Sequence, residues 1–314
     1  MQLPSYAQYA KSGDGFPKRA LTMIVPYGPG GGSGQFAGGI AQAFTELTGV
    51  AVNRDHKPGG SGSVGSIAYM ATPKDGYTIL EHIDDSASAH VVDASLPHPT
   101  EDWIPLMTGQ VTFSQIFIRS NETRFTDWDS FIAYARDAGG KATIANVSRE
   151  GSMERLNMHF ITEHYGVQVQ QISFDKGGPR YAALKGGQVD ALFEQPGDVR
   201  NFLDSGDFKP ILTLLHDRPA AFADTPSLSD VGLTFEPLMR YRGVYVHKDI
   251  PAERLKWLQD SWQKSFNQAS FQEFNKKKFM DLIPSFRDTP GSIELINSTM
   301  AIYDKTLRDL GIIK

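Results

Sequence analysis

Two glycine-rich runs carry the residue types and spacing most able to do chemistry. The first is Gly28-Pro29-Gly30-Gly31-Gly32-Ser33-Gly34, and the second is Pro58-Gly59-Gly60-Ser61-Gly62-Ser63. Glycine lets the backbone turn so that several N–H groups point at one spot. A helix N-terminus behind the loop adds partial positive charge. Such a loop suits an anion. Two of them in succession suit a ligand with two anionic ends, or one anion held from both sides.

The elements around these loops support that reading. A strand is expected over Leu21–Val25, bounded by Pro26. The helix after the first loop carries Phe36, Ile40, Phe44 and Leu47 on one face, and Gly49 stops it. A strand over Val50–Asn53 completes one βαβ unit. The pattern then repeats, with the second loop, a short helix over Val64–Ala71 and a strand over Tyr77–Leu80. Both loops therefore sit at strand C-terminal ends, where open α/β sheets bind ligands. Further strands are expected at Ser114–Ile118, Ala142–Asn146, Gln168–Phe174, Ala191–Phe193, Ile211–Leu215 and Val244–Val246. Thr126-Asp127-Trp128-Asp129 resembles a capping box, and Ser152 caps a helix containing Leu156 and Phe160. Two later helices follow, one from Pro251 and one ending at Gly311. This alternation predicts mostly parallel α/β sheets with crossover helices.

Composition narrows the function classes. Hydrophobic residues make up 40% and charged residues 21% of the 314, as in a globular protein. The formal charge of −5 gives no basic excess of the kind nucleic-acid binding requires. Lys276, Lys277 and Lys278 read as a solvated helix face. With no cysteine, disulfides and thiolate zinc sites are excluded. No apolar run is long enough to cross a membrane.

The catalytic motifs fail in turn. Neither loop continues into the Gly-Lys-Ser/Thr of a Walker A sequence. The second loop does match G-x-G-x-x-G at Gly60, Gly62 and Gly65, with Glu81 after the next strand. An α/β enzyme that binds NAD or another nucleotide is thus the alternative, although Pro58 and Gly59 lengthen the loop and its helix is short. His56, His82, His90 and His98 lack metal-ligand spacing, and G-x-S-x-G is absent. No cofactor and no metal are expected.

The order of motifs resembles a family. Val25-Pro26-Tyr27-Gly28-Pro29-Gly30-Gly31-Gly32-Ser33 is similar to the opening signature of substrate-binding proteins of tripartite tricarboxylate transporters, the Bug proteins. Asn53-Arg54 through Pro58-Gly59-Gly60-Ser61-Gly62 follows in register. So do Asp75-Gly76-Tyr77-Thr78, Gly151-Ser152, Lys176-Gly177-Gly178, Leu184 through Asp190, Arg218, Thr225-Pro226-Ser227-Leu228 and Gly232-Leu233. The resemblance implies a type II periplasmic-binding fold, an α/β protein of two lobes with a ligand cleft between them. Its chain crossings are expected near Ile118–Arg124 and Pro237–Arg242. A flexible segment would cover residues 1–19, lobe 1 residues 20–118 plus 242–314, and lobe 2 residues 119–241. The resemblance also implies a monomer in the periplasm, exported with a signal peptide. It would hand a small organic carboxylate to membrane subunits of a secondary transporter, without being an enzyme or inserting in the membrane itself. A ligand-presenting sensor is the third reading.

The expected ligand-binding residues are Tyr27, Gly30, Gly31, Gly32, Ser33, Gly34, Gly60, Ser61, Gly62 and Ser63 from the loops, with Asp85, Ser148, Ser152, Phe174, Lys176, Gly177, Glu194, Arg240 and Arg242. For several a plainer role stays open. Ser152 caps a helix in either case. Phe174 and Lys176 could be packing and surface charge, and Asp84 and Asp85 could cap or pair. Arg240 and Arg242, on one face of a strand, suit either a carboxylate or a salt bridge between lobes. This chain departs from the family at Gly34 and Gly38, where Asp and often Arg are usual. Those two at i, i+4 form a helical ion pair, so their joint loss reads as a structural swap or as the loss of an acceptor for a ligand amine. The departures and the arginines favour a dicarboxylate, which includes aromatic ones.

Overall fold

The computed structural model describes residues 9–147, 149–174 and 176–314. They fall into two compact units. Unit 1 takes residues up to Pro29, Ser33–Val111 and Tyr241–Lys314, and unit 2 takes Gly30–Gly32 and Thr112–Arg240. Besides the short excursion at Gly30–Gly32, the chain passes between units at Val111/Thr112, earlier than the sequence suggested, and again at Arg240/Tyr241. The first passage lies inside a strand the sequence reading did not anticipate, and the strand after it pairs wholly within unit 2.

Unit 1 contains strands β1 (Leu21–Val25), β2 (Val52–His56), β3 (Thr78–Ile83) and β4 (Trp103–Thr112), with helices α1 (Gly32–Thr48), α2 (Ser63–Met70) and α3 (Asp85–Val92). Unit 2 follows with β5 (Gln115–Arg119), α4 (Trp128–Asp137), β6 (Thr143–Val147), α5 (Met153–Tyr165), β7 (Gln170–Phe174), α6 (Gly177–Lys185), β8 (Ala191–Glu194), α7 (Arg200–Asp204) and β9 (Phe208–Thr213). The chain then adds β10 (Arg240–His247), α8 (Ala252–Phe266), α9 (Ala269–Lys277) and α10 (Thr289–Asp309). Asp127 with Ser130 forms the capping box of α4, so the N-cap is Asp127 and not Thr126.

The sheet orders are β2-β1-β3-β10-β4 and β7-β6-β8-β5-β9. In each, three parallel strands are followed by one antiparallel strand, β10 against β3 and β5 against β8. The sheets are therefore mixed rather than all parallel. An antiparallel strand begins at the edge where its neighbour ends. Arg242 accordingly lies opposite Ile83, and Gln115 opposite Glu194.

Each unit closes its own core. In unit 1, Leu21, Met23 and Val25 of β1 meet Phe36, Ile40 and Phe44 of α1 and Leu258 and Trp262 of α8. The near-continuous apolar run of β1 is what a strand covered on both faces requires. In unit 2, Phe117, Ala145 and Leu192 pack with Leu184, Val199 and Phe208. Residues 9–19, expected to be flexible, are docked instead. Phe16 is buried against Tyr77 and Trp257, and the Trp257 Nε1 donates to the Ala10 carbonyl at 2.7 Å. Aromatic burial on this scale holds the segment against unit 1.

Candidate functional site

In unit 1 the parallel strands deliver three loops to one sheet edge. After β2, four consecutive residues have positive φ: Gly59 (136°), Gly60 (57°), Ser61 (54°) and Gly62 (91°). Glycine adopts such angles freely, but Ser61 does not. The resulting left-handed turn opens directly into α2. The Gly62 and Val64 N–H groups both donate to the Gly59 carbonyl, at 3.1 and 3.4 Å, and Ser63 N–H donates to Gly60. Among the described residues the N–H groups of Gly60 and Ser61 have no protein acceptor. The Ser63 hydroxyl is likewise enclosed without a partner. Successive N–H groups in such turns form an anion-binding concavity.

Buried polar groups brace this turn. Ile83 N–H lies 2.9 Å from His82 Nδ1, and the Ile83 carbonyl lies 3.1 Å from the same nitrogen. His82 Nε2 hydrogen-bonds with Ser66 Oγ at 3.0 Å, and Ser66 Oγ donates to the Gly62 carbonyl at 3.0 Å. A Cβ on Gly62 would lie 2.8 Å from the Tyr27 hydroxyl and 3.0 Å from the His82 ring. Tyr27 donates to Asp85 Oδ2 at 3.0 Å, and His56 Nδ1 meets the Tyr27 carbonyl at 2.8 Å. Asp84 accepts from Tyr303 at 3.2 Å, and Arg242 donates to Gln110 Oε1 at 2.8 Å. Asp85 and Arg242 are both buried, so each has a role inside the fold. Burial raises the Tyr245 hydroxyl far above its ordinary pKa, and the charges of Glu81 and Asp84 add to this.

The first glycine loop is tighter than its sequence suggests. Gly32, Ser33 and Gly34 already belong to α1. A Cβ at Gly34 would lie 2.4 Å from the Pro29 carbonyl oxygen, so the aspartate usual in the family has no room here without a backbone shift. A Cβ at Gly38 would lie 2.7 Å from Arg54 Nη1. A guanidinium from β2 therefore covers the position where the family often carries arginine. The joint departure is a local rearrangement of side chains.

In unit 2, Ser152 is the N-cap of α5, yet its side chain makes no capping bond. Its hydroxyl is buried without a partner. Beneath it lies a group of buried charges. Glu154 pairs with Arg240 at 2.8 Å and Arg180 at 3.2 Å, and accepts from Val147 N–H at 2.5 Å. Glu194 pairs with Arg180 and accepts from Tyr181 at 2.7 Å. Two carboxylates and two guanidiniums thus offset one another. Burial is the largest influence on Glu154; despite the two guanidiniums it pushes the carboxyl up to about 7. Arg180 is held even more firmly protonated, because Glu194 and Glu154 outweigh its burial.

The expected site residues of unit 2 therefore separate. Glu194 and Arg240 are internal partners of this group, Arg240 pairing with Glu154 within unit 2. Phe174 is half-buried against the unit 2 core, so plain packing accounts for it. Lys176 is the exposed N-cap of α6. Gly177 is buried, and a Cβ there would lie 2.8 Å from the Gly31 Cα and 3.1 Å from the Tyr181 ring. Gly30 and Gly31 thus group with the start of α6. Ser148 lies outside the described residues. Sequence reasoning missed Arg149, Glu154, Arg180 and the His82–Ser66 bridge. An acidic residue in the first turn of α5 was the one available signal. The nucleotide reading fares poorly, because Glu81 is fully buried within β3 and Gly65 packs against Pro26.

The family model described as "Tripartite tricarboxylate transporter family receptor" matches residues 37–311. The solved structure of periplasmic binding protein BugD superposes with a TM-score of 0.84 at 20% identity, over 94% of this chain and 99% of that one. MatC from Rhodopseudomonas palustris, with bound malate, gives 0.81 at 18% identity over 93% and 100%. R. palustris Rpa4515, with adipate, gives 0.83 at 18% identity over 94% and 98%.

Proposed function

The chain belongs to the tripartite tricarboxylate transporter receptor family, and from that premise we propose that it captures a small organic dicarboxylate in the periplasm and delivers it to the membrane subunits of a secondary transporter. The observation that carries this reading is the left-handed turn Gly59–Gly62 at the start of α2, where the N–H groups of Gly60 and Ser61 and the Ser63 hydroxyl lack acceptors among the described residues. Backbone dipoles fixed in this way stabilise a carboxylate without a compensating cation. The uncapped start of α5 is a second such element, in unit 2. Malate and adipate, bound to two proteins of the same fold, are dicarboxylates.

The test is isothermal calorimetry and thermal shift against succinate, malate, adipate, aromatic dicarboxylates, matched monocarboxylates, amino acids and NAD. A dicarboxylate at a hundred times its dissociation constant stabilises the protein by about 2.7 kcal/mol, a readily measured shift. Binding confined to NAD or to amino acids would refute the proposal.

A further inference from the structure

The β6–α5 loop holds a cation that nothing else among the described residues neutralises. Arg149 is half-buried, and its Nη2 is enclosed without a hydrogen-bond partner. Arg180 and Arg240, the fully buried cations of unit 2, both pair with Glu154. Enclosing a charged donor without an acceptor is costly, so the fold retains Arg149 there against a penalty.

A turn fixes its backbone at the start of α5. Ser152 N–H donates to the Arg149 carbonyl at 3.1 Å, and Gly151 has φ +82°. That is the hydrogen bond and the positive angle of a type II turn. The turn sets Arg149 beside the N-terminus of α5, a helix of 13 residues. Ser152 at its mouth is 1% exposed, and its hydroxyl neither caps the helix nor has a hydrogen-bond partner among the described residues. An N-cap serine ordinarily bonds to the second or third N–H of its helix. Here the guanidinium, the hydroxyl and the first-turn N–H groups are all donors awaiting an acceptor. Glu154, the nearby carboxylate, is already committed to two arginines.

We infer that Arg149 is a specificity-determining residue that pairs with one carboxylate of the ligand and selects an ionised carboxylate over an amide at that end. The inference rests on the dicarboxylate reading above. Guanidinium and carboxylate match through two parallel hydrogen bonds, and an amide offers only one acceptor oxygen and no charge.

Calorimetry on the wild type, Arg149→Gln and Arg149→Lys tests it, with succinate, malate and adipate each beside its monoamide. The wild type should prefer a diacid to its monoamide by at least about 10-fold. Arg149→Gln should lose about 10- to 100-fold on the diacid and little on the monoamide, the size of a lost charged hydrogen bond. Arg149→Lys should recover part of the loss, because charge returns without the fork. Unchanged diacid affinity in Arg149→Gln, or equal losses on both probes, would overturn the inference and leave the dicarboxylate reading standing. A wild type that binds none of these probes would sink both. Circular-dichroism melts of the variants establish that they are folded.

Discussion

Two adjacent residues in the second glycine loop test opposite sides of one argument. Ser61 holds φ 54° and ψ 40°, left-handed geometry that costs a residue with a Cβ roughly 1–2 kcal/mol. Ser61→Gly should relieve part of that, less the entropy glycine adds to the unfolded chain. The expected gain is some tenths of a kcal/mol up to about 1, read as a higher urea midpoint with dicarboxylate affinity unchanged. Gly62→Ala should do the reverse. Its φ is +91°, and the new Cβ would meet the Tyr27 hydroxyl at 2.8 Å and the His82 ring at 3.0 Å. That should destabilise by about 1–3 kcal/mol and weaken binding at least about 10-fold, because the N–H groups on either side move with the turn. An alanine variant with native affinity would show that the turn does not hold the ligand. The sequence pointed to this loop through its glycines. It could not reveal that Ser61 shares their conformation, since serine carries no such preference.

Helices and strands decide which charges face inward, and here the sequence was a weaker guide. Strand and helix alternation, most strand positions and the amphipathic faces of α1 and α8 follow from spacing alone. The strand β4 did not, because its Gly109, Gln110 and Thr112 break the apolar pattern. Arg240 and Arg242 were recognised as sharing a face, but their partners lie 86 and 132 residues away, on Glu154 and Gln110. Pairings of such range are set by topology and leave no local mark. The Glu154 group has a consequence for stability. Its carboxyl sits at about 7 in the folded protein against an ordinary value of 4.5. Between those values the folded state holds a proton that the unfolded state has released. This contribution is therefore complete below pH ~4.5 and is lost as pH rises through ~7. Chemical denaturation at stepped pH should show a fall in stability across that window. Glu154→Gln should flatten it, and an equally steep fall in that variant would assign the effect to another group.

At the level of the molecule, the family and the two-unit α/β plan were readable because they rest on a long series of motifs. The ligand's identity was not, since backbone N–H groups bind carboxylates whatever side chains surround them. Each unit nonetheless has its own closed core, and apart from Gly30–Gly32 unit 2 is one continuous stretch of chain, Thr112–Arg240. Units built this way are expected to lose structure in separate steps. The four tryptophans make this testable, because Trp103, Trp257 and Trp262 lie in unit 1 and Trp128 alone lies in unit 2. Trp128 is buried, with its Nε1 donating to Tyr165 at 3.1 Å, so Trp128→Phe weakens unit 2 and leaves the fluorescence to unit 1. In urea, the fluorescence midpoint of that variant should lie above the first step of its far-ultraviolet circular dichroism. Raising the pH from 5 to 8 should lower the circular-dichroism step of unit 2 through Glu154 and leave the unit 1 fluorescence midpoint in place. Superimposable transitions that move together with pH would mean that the two cores unfold as one cooperative body, and the pH effect would then belong to the whole chain.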